Sequence, residues 1–265
     1  MKTICKLLSL VLSVLLLMTG CRVIESDIDG NGDTTDAAAE AIVYPKGDGR
    51  MVVCLDAGHG FRDIGCDTDL LLGTEAEVNL AVTLLVKDAL EKKGIEVILT
   101  HDGKTYPSAE KIKSLADGAG VEYIAEDIIE NDVFSAYERG IYTSAIAEKE
   151  GIDLFISLHV NSIENNPEIS RYEIDYYKGN PYAAALGELA EALSGRLDNE
   201  TAIYADPLEE AFLVTKTGTH PSVLIEMGYA TNERDSANLN SEIWRKNFAN
   251  TLAECVLEWL LAFEK

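Results

Sequence analysis

Two histidines and two glutamates, widely separated in the chain, are of the types and in the settings that could do chemistry together. His59 follows the apolar run 51–55 in the turn Asp56-Ala57-Gly58-His59-Gly60, and His159 lies near the end of Phe155-Ile156-Ser157-Leu158-His159. Open α/β sheets gather their sites at the carboxyl ends of strands, so both imidazoles are expected at one sheet edge. Glu75 opens a helical pattern, and Glu226 stands inside Val223-Leu224-Ile225-Glu226-Met227-Gly228, where a carboxylate is costly unless paired or metal-bound. Two histidines and one glutamate are a ligand set for catalytic zinc that leaves a fourth position for water. Zinc lowers the pKa of that water to about 7, and a second carboxylate off the metal can then move the proton. Spacing alone leaves blander roles open. A strand-end histidine can be a satisfied structural residue, Glu75 a charge stabilised at a helix N-terminus, and Glu226 a buried salt-bridge partner.

The elements that must position these residues alternate. Short apolar runs at 51–55, 95–100, 153–160 and 222–227 read as strands, the third so continuously apolar that both its faces must be covered. Helical periodicity marks 75–93, 134–149, 181–197 and 241–263, with Gly94 and Gly151 where C-terminal caps belong. In the last of these Ile243, Phe248, Leu252, Trp259 and Phe263 form the expected apolar face. The fold class is therefore α/β: a mixed, largely parallel twisted sheet with helices on both faces, in a single catalytic domain over 51–265. Residues 102–133 break the rhythm and read as an inserted loop, acidic at its end with Glu126, Asp127, Glu130 and Asp132. A loop of that length suggests a lid or flap over the site, and a surface decoration fits it equally.

Composition bounds the function classes. Of 265 residues 46 are acidic and 22 basic, a net charge of −24, which argues against a direct nucleic-acid binder because phosphates would be repelled. Lys2 and Lys6, the apolar run 7–18 and Met18-Thr19-Gly20-Cys21 read as a cleavable export signal, too short to span a bilayer. The segment resembles a bacterial lipoprotein signal over 1–20, which implies a lipidated Cys21 followed by a flexible tether to residue 50 that holds the domain near a membrane. Cys54, Cys66 and Cys255 form no disulfide framework, although a Cys54–Cys66 bridge is conceivable. There is no HExxH, GxSxG, GxGxxG or P-loop, so the common signatures of serine hydrolases, dinucleotide folds and NTPases are missing.

Four blocks, taken together, carry a resemblance. Asp56-Ala57-Gly58-His59-Gly60, Glu75-Ala76-Glu77-Val78-Asn79-Leu80, Ser157-Leu158-His159-Val160-Asn161-Ser162 and the stretch 221–232 (PSVLIEMGYATN) resemble, in order, the motifs of the zinc-dependent N-acetylmuramoyl-L-alanine amidases, the family often called Amidase_3. The resemblance implies Zn2+ held by His59, Glu75 and His159, with Glu226 as general acid/base. It also implies cleavage of the amide between the lactyl group of N-acetylmuramic acid and L-alanine in peptidoglycan. A zinc peptidase cutting within the stem peptide and a non-catalytic wall-binding lipoprotein are the rival readings. The implied setting is the bacterial cell envelope, with contact to the membrane through the lipid anchor and room for an unidentified activator protein. Glu77, two residues past Glu75, is expected in solvent. The family often has Arg where this chain has His101, which is expected at the surface or substrate edge. His220, before Pro221, is expected to be a loop residue.

Overall fold

The computed structural model describes residues 49–130, 133–206 and 212–263. The export signal, Cys21 and nearly all of the tether lie outside them. The strands are β1 (Val52–Ala57), β2 (Glu96–Leu99), β3 (Leu154–Asn161), β4 (Tyr172–Tyr177), β5 (Thr201–Asp206) and β6 (Ser222–Tyr229). They form one sheet in the order β2-β1-β3-β6-β4-β5. The first four of that order are parallel; β4 runs antiparallel to β6 and parallel to β5. The mixed, largely parallel sheet read from the sequence is thus present, with two additional strands.

The helices are α1 (Glu75–Glu91), α2 (Ala109–Ala119), α3 (Ala136–Glu150), α4 (Ala183–Ser194), α5 (Leu213–Lys216), α6 (Glu233–Asn240) and α7 (Glu242–Phe263). Side chains alternate across a strand, and here both sets are apolar. Val53, Leu55, Ile156, Leu158, Val223 and Ile225 pack with α1, α4 and α7, whereas Cys54, Phe155 and Leu224 pack with Ile146 of α3 and Val214 of α5. Coverage on both faces explains the unbroken apolar runs. Among the described residues no helix is long and apolar enough to cross a membrane.

Three expectations change. Residues 102–133 are not a bare loop. Ser108 caps α2 through its side chain, Gly120 closes it in the left-handed conformation (φ 70°), and Ile112 and Ala116 pack with Ile128, Phe134 and Ile141 of the following segment and α3. Ile243 is 75% exposed rather than part of the α7 apolar face. There Trp244 and Phe248, one turn apart, stack on each other and on Tyr172, which turns Ile243 outward. The Cys54–Cys66 bridge is absent: both thiols are free.

Candidate active site

β1, β3 and β6 end side by side, and their last residues turn toward the α3 face. His159 and Glu226 are register partners on adjacent strands, so both side chains leave the sheet on one face, about 4.8 Å apart at the backbone. After β1 the chain turns sharply, with positive φ at His59 (65°) and Phe61 (59°), conformations uncommon outside glycine. That strain brings the His59 ring to 4.9 Å, centroid to centroid and edge-on, from the His159 ring.

Glu75 arrives from the first turn of α1. Thr74 caps that helix and Glu77 reaches back to the Thr74 amide in a capping box, so the exposed Glu77 has a structural task and Glu75 is left for the site. Glu75 Oε1 lies 3.2 Å from His59 Nε2 and 3.2 Å from His159 Nδ1. The Val160 amide donates to Oε1 at 3.1 Å, the Asn79 amide group at 3.3 Å, and the Cys66 amide to Oε2 at 2.8 Å. Burial opposes ionisation of Glu75, yet the two imidazoles and the Cys66 amide hold its carboxyl far below the usual carboxylate range. The same contacts raise His59: burial opposes its charge, and the hydrogen bonds and charges of Glu75 and then Asp63 outweigh it.

One ligand atom from each of His59, Glu75 and His159 falls within 4.8 Å of the others. Donors 2.0–2.1 Å from a shared tetrahedral ion are about 3.3 Å apart, so the two 3.2 Å separations to Glu75 match a metal-binding cradle. Asp63 Oδ2 lies 2.9 Å from His59 Nδ1, the carboxylate partner that metal-binding histidines use to fix the ring and leave Nε2 for the metal. Gly58 and Gly65 are required by this crowding. A Cβ at Gly58 would overlap the His159 ring, and one at Gly65, where φ is +66°, would overlap Glu75 and the His59 ring.

Glu226 is 7% exposed, and its Oε2 has no hydrogen-bond partner among the described residues. Burial, then the charges of Glu75, Asp175 and Glu173, raise its pKa well above that of an ordinary glutamate. A buried carboxyl with an orphaned oxygen beside two histidines is what a cation or a reacting proton would satisfy. His59, Asp63, Cys66, Glu75, Arg139, His159 and Glu226 all line one cavity of about 480 Å³ with Phe212 and Leu213 at its apolar side. None of the described residues of 102–133 lines it. Glu130, in the acidic end, instead accepts from the Ala109 amide at the start of α2.

The other two histidines stand elsewhere. His101 is 5% exposed, not at the surface: its Nε2 donates to the Ala57 carbonyl at 2.8 Å and its Nδ1 accepts from the Gly103 amide. It packs edge-on to Phe61 and Phe134, anchoring the turn that carries His59. His220 is also buried, edge-on to Phe155, and burial depresses its pKa to about 4. Sequence reasoning missed Asp63 and the supporting role of Asn79, which donates both to the Gly58 carbonyl and to Glu75. The signals were there, four residues past His59 and one helical turn past Glu75.

A family model described as N-acetylmuramoyl-L-alanine amidase matches residues 53–258, most of the chain and every residue of this cavity. The chain belongs to this family. It is 25% identical over 208 residues to the germination-specific N-acetylmuramoyl-L-alanine amidase of Bacillus subtilis, covering 78% of this chain and 79% of that protein. It is 26% identical over 216 residues to an uncharacterized cell wall amidase of Bacillus anthracis, covering 80% of this chain but only 36% of that longer protein. Among solved structures, N-acetylmuramoyl-L-alanine amidase AmiC2 of Nostoc punctiforme superposes with a TM-score of 0.57 at 25% identity, covering 81% of this chain and 99% of that one.

Proposed function

We propose that this amidase-family chain hydrolyses the amide between the lactyl group of N-acetylmuramic acid and L-alanine of peptidoglycan stem peptides. His59, Glu75 and His159 would hold a zinc ion, and Glu226 would act as general acid/base. The observation that carries the reading is the convergence of two imidazoles and a carboxylate within 4.8 Å of one another, beside a buried carboxyl with an unpartnered oxygen. Zinc at such a site supplies Lewis acidity, bringing the pKa of water to about 7 and polarising a carbonyl. The rest is the chain's own work. Glu226 takes the proton of the attacking water and delivers it to the departing nitrogen of L-alanine. Burial favours the protonated form that Glu226 takes on when it accepts this proton. Asp63 keeps the His59 ring oriented, and Asn79 with the Val160 and Cys66 amides fixes the Glu75 carboxylate.

Export to the cell envelope and anchoring through a lipidated Cys21 belong to the same proposal, supported by the charged, apolar and small-residue order of the first 21 residues. A lipid anchor would supply the local concentration at the wall that a chain of net charge −24 cannot obtain from an anionic polymer by attraction. Mass spectrometry of the fragments released from purified sacculi, with and without chelator, tests the reaction. Free stem peptides beginning with L-alanine, an intact glycan and loss of release with chelator are expected. Fragments cut within the stem peptide would replace the amidase with a peptidase, and no release in any condition would leave a wall-binding lipoprotein.

A further inference from the structure

Arg139 is the one cation among the described residues that line the cavity. It is 2% exposed and held from two directions. Its Nε lies 3.2 Å from Asp56 Oδ1, and Nη1 donates to the Phe134 carbonyl at 2.7 Å. Asp56 in turn is fixed by the Thr100 hydroxyl at 2.6 Å and the Ser157 hydroxyl at 2.7 Å. Nη2 enters no hydrogen bond among the described residues, and Nε, ion-paired with Asp56, has no hydrogen-bond partner there either.

A buried, immobilised arginine with a spare donor is an unusual expense unless something accepts from it. The other charged groups of the wall have their tasks. His59, Glu75 and His159 form the metal cradle, Asp63 holds His59, and Glu226 faces the proton traffic. Asn161 spends its amide on Glu173 and its carbonyl on the Ser162 amide. We infer that Arg139 is a further catalytic residue, whose Nη2 donates to the carbonyl oxygen of the scissile amide as negative charge develops on it. The inference rests on the amide-hydrolase reading above. A guanidinium held by Asp56 and a backbone carbonyl needs no reorganisation when that charge appears, which is the condition for transition-state stabilisation by a fixed donor. Arginine suits the task better than lysine, because its planar fork can bind Asp56 and a reacting oxygen at once.

The test is Arg139→Lys, which keeps a cation for the buried Asp56 and removes the second arm. Zinc content, thermal unfolding, and kcat and KM on a soluble muropeptide with an intact stem are measured beside the wild type. Expected are wild-type zinc content, unfolding within a few degrees of wild type, KM within about threefold, and kcat lower by about 100- to 1,000-fold, the usual loss for one such donor. Guanidinium added to Arg139→Ala is expected to restore part of kcat. Wild-type kcat in Arg139→Lys, or a rise in KM alone, would overturn the inference. So would a variant that fails to fold or to hold zinc, because Arg139 would then be structural. A wild-type enzyme that releases no stem peptide would instead overturn the parent reading.

Discussion

Asp175 offers a sharp test of the electrostatics behind the site. It lies on β4, 6% exposed, one of the acids that crowd Glu226. Burial, then the charges of Asp206 and Glu173 and a hydrogen bond with Asp206, push its carboxyl from 3.8 up to about 7. The unfolded chain gives up this proton near 3.8 and the native chain near 7. Between those values the native state binds more protons, so its stability falls as pH rises. The gap amounts to about 4 kcal/mol once both states are ionised. Asp175→Asn removes the titration while keeping a donor for Asp206. Below about pH 4 variant and wild type should be equally stable, since both carry a neutral group. Above about pH 7 the variant should be more stable by about 4 kcal/mol, moving the urea midpoint by about 1–2 M. Urea unfolding of both proteins at each pH from 4 to 8 reads this directly, and titrations of groups remote from Asp175 cancel in the difference. A difference that does not change with pH would refute the reasoning.

Other outcomes follow from the packing. Gly58→Ala puts a methyl group into the His159 ring and is expected to lower metal affinity at least tenfold, read by metal titration, with little change in the α2 region. Ile112→Ala opens a cavity in the cluster under α2 and should cost about 2–5 kcal/mol in urea unfolding, with kcat unchanged because that cluster does not line the site.

How far the sequence could be read depended on what each residue's neighbours supply. Strands β1, β3 and β6 were legible because each is apolar on both faces, and a helix layer covers each face. β4 and β5 were not, because β4 carries Glu173 and Asp175 in its buried stretch, which reads as surface or loop. They are tolerated there because Arg171, Tyr229 and Asn161 satisfy Glu173 and because Asp175 is pushed toward its neutral form. α2 buries only Ile112 and Ala116, too weak a stripe to register. His101 looked like a surface residue because its partner, the Ala57 carbonyl, is 44 positions away and contributes no side chain to the pattern. His59, His159 and Glu75 stood out in the sequence as candidates at two strand ends and a helix start, and Glu226 as a carboxylate in an apolar run, while their roles came only from the resemblance of the four blocks. Arg139 was not legible, because its task arises only when α3 meets the strained turn over β1.

Zinc content measured together with amide cleavage in the wild type, Glu226→Gln and His159→Ala tests the central claim most directly. Glu226→Gln should retain the wild-type zinc and lose at least about 100-fold in turnover, the contribution expected of a general acid/base, whereas His159→Ala should lose both. A Glu226→Gln protein that turns over normally, or a His159→Ala protein that still binds zinc as the wild type does, would contradict it.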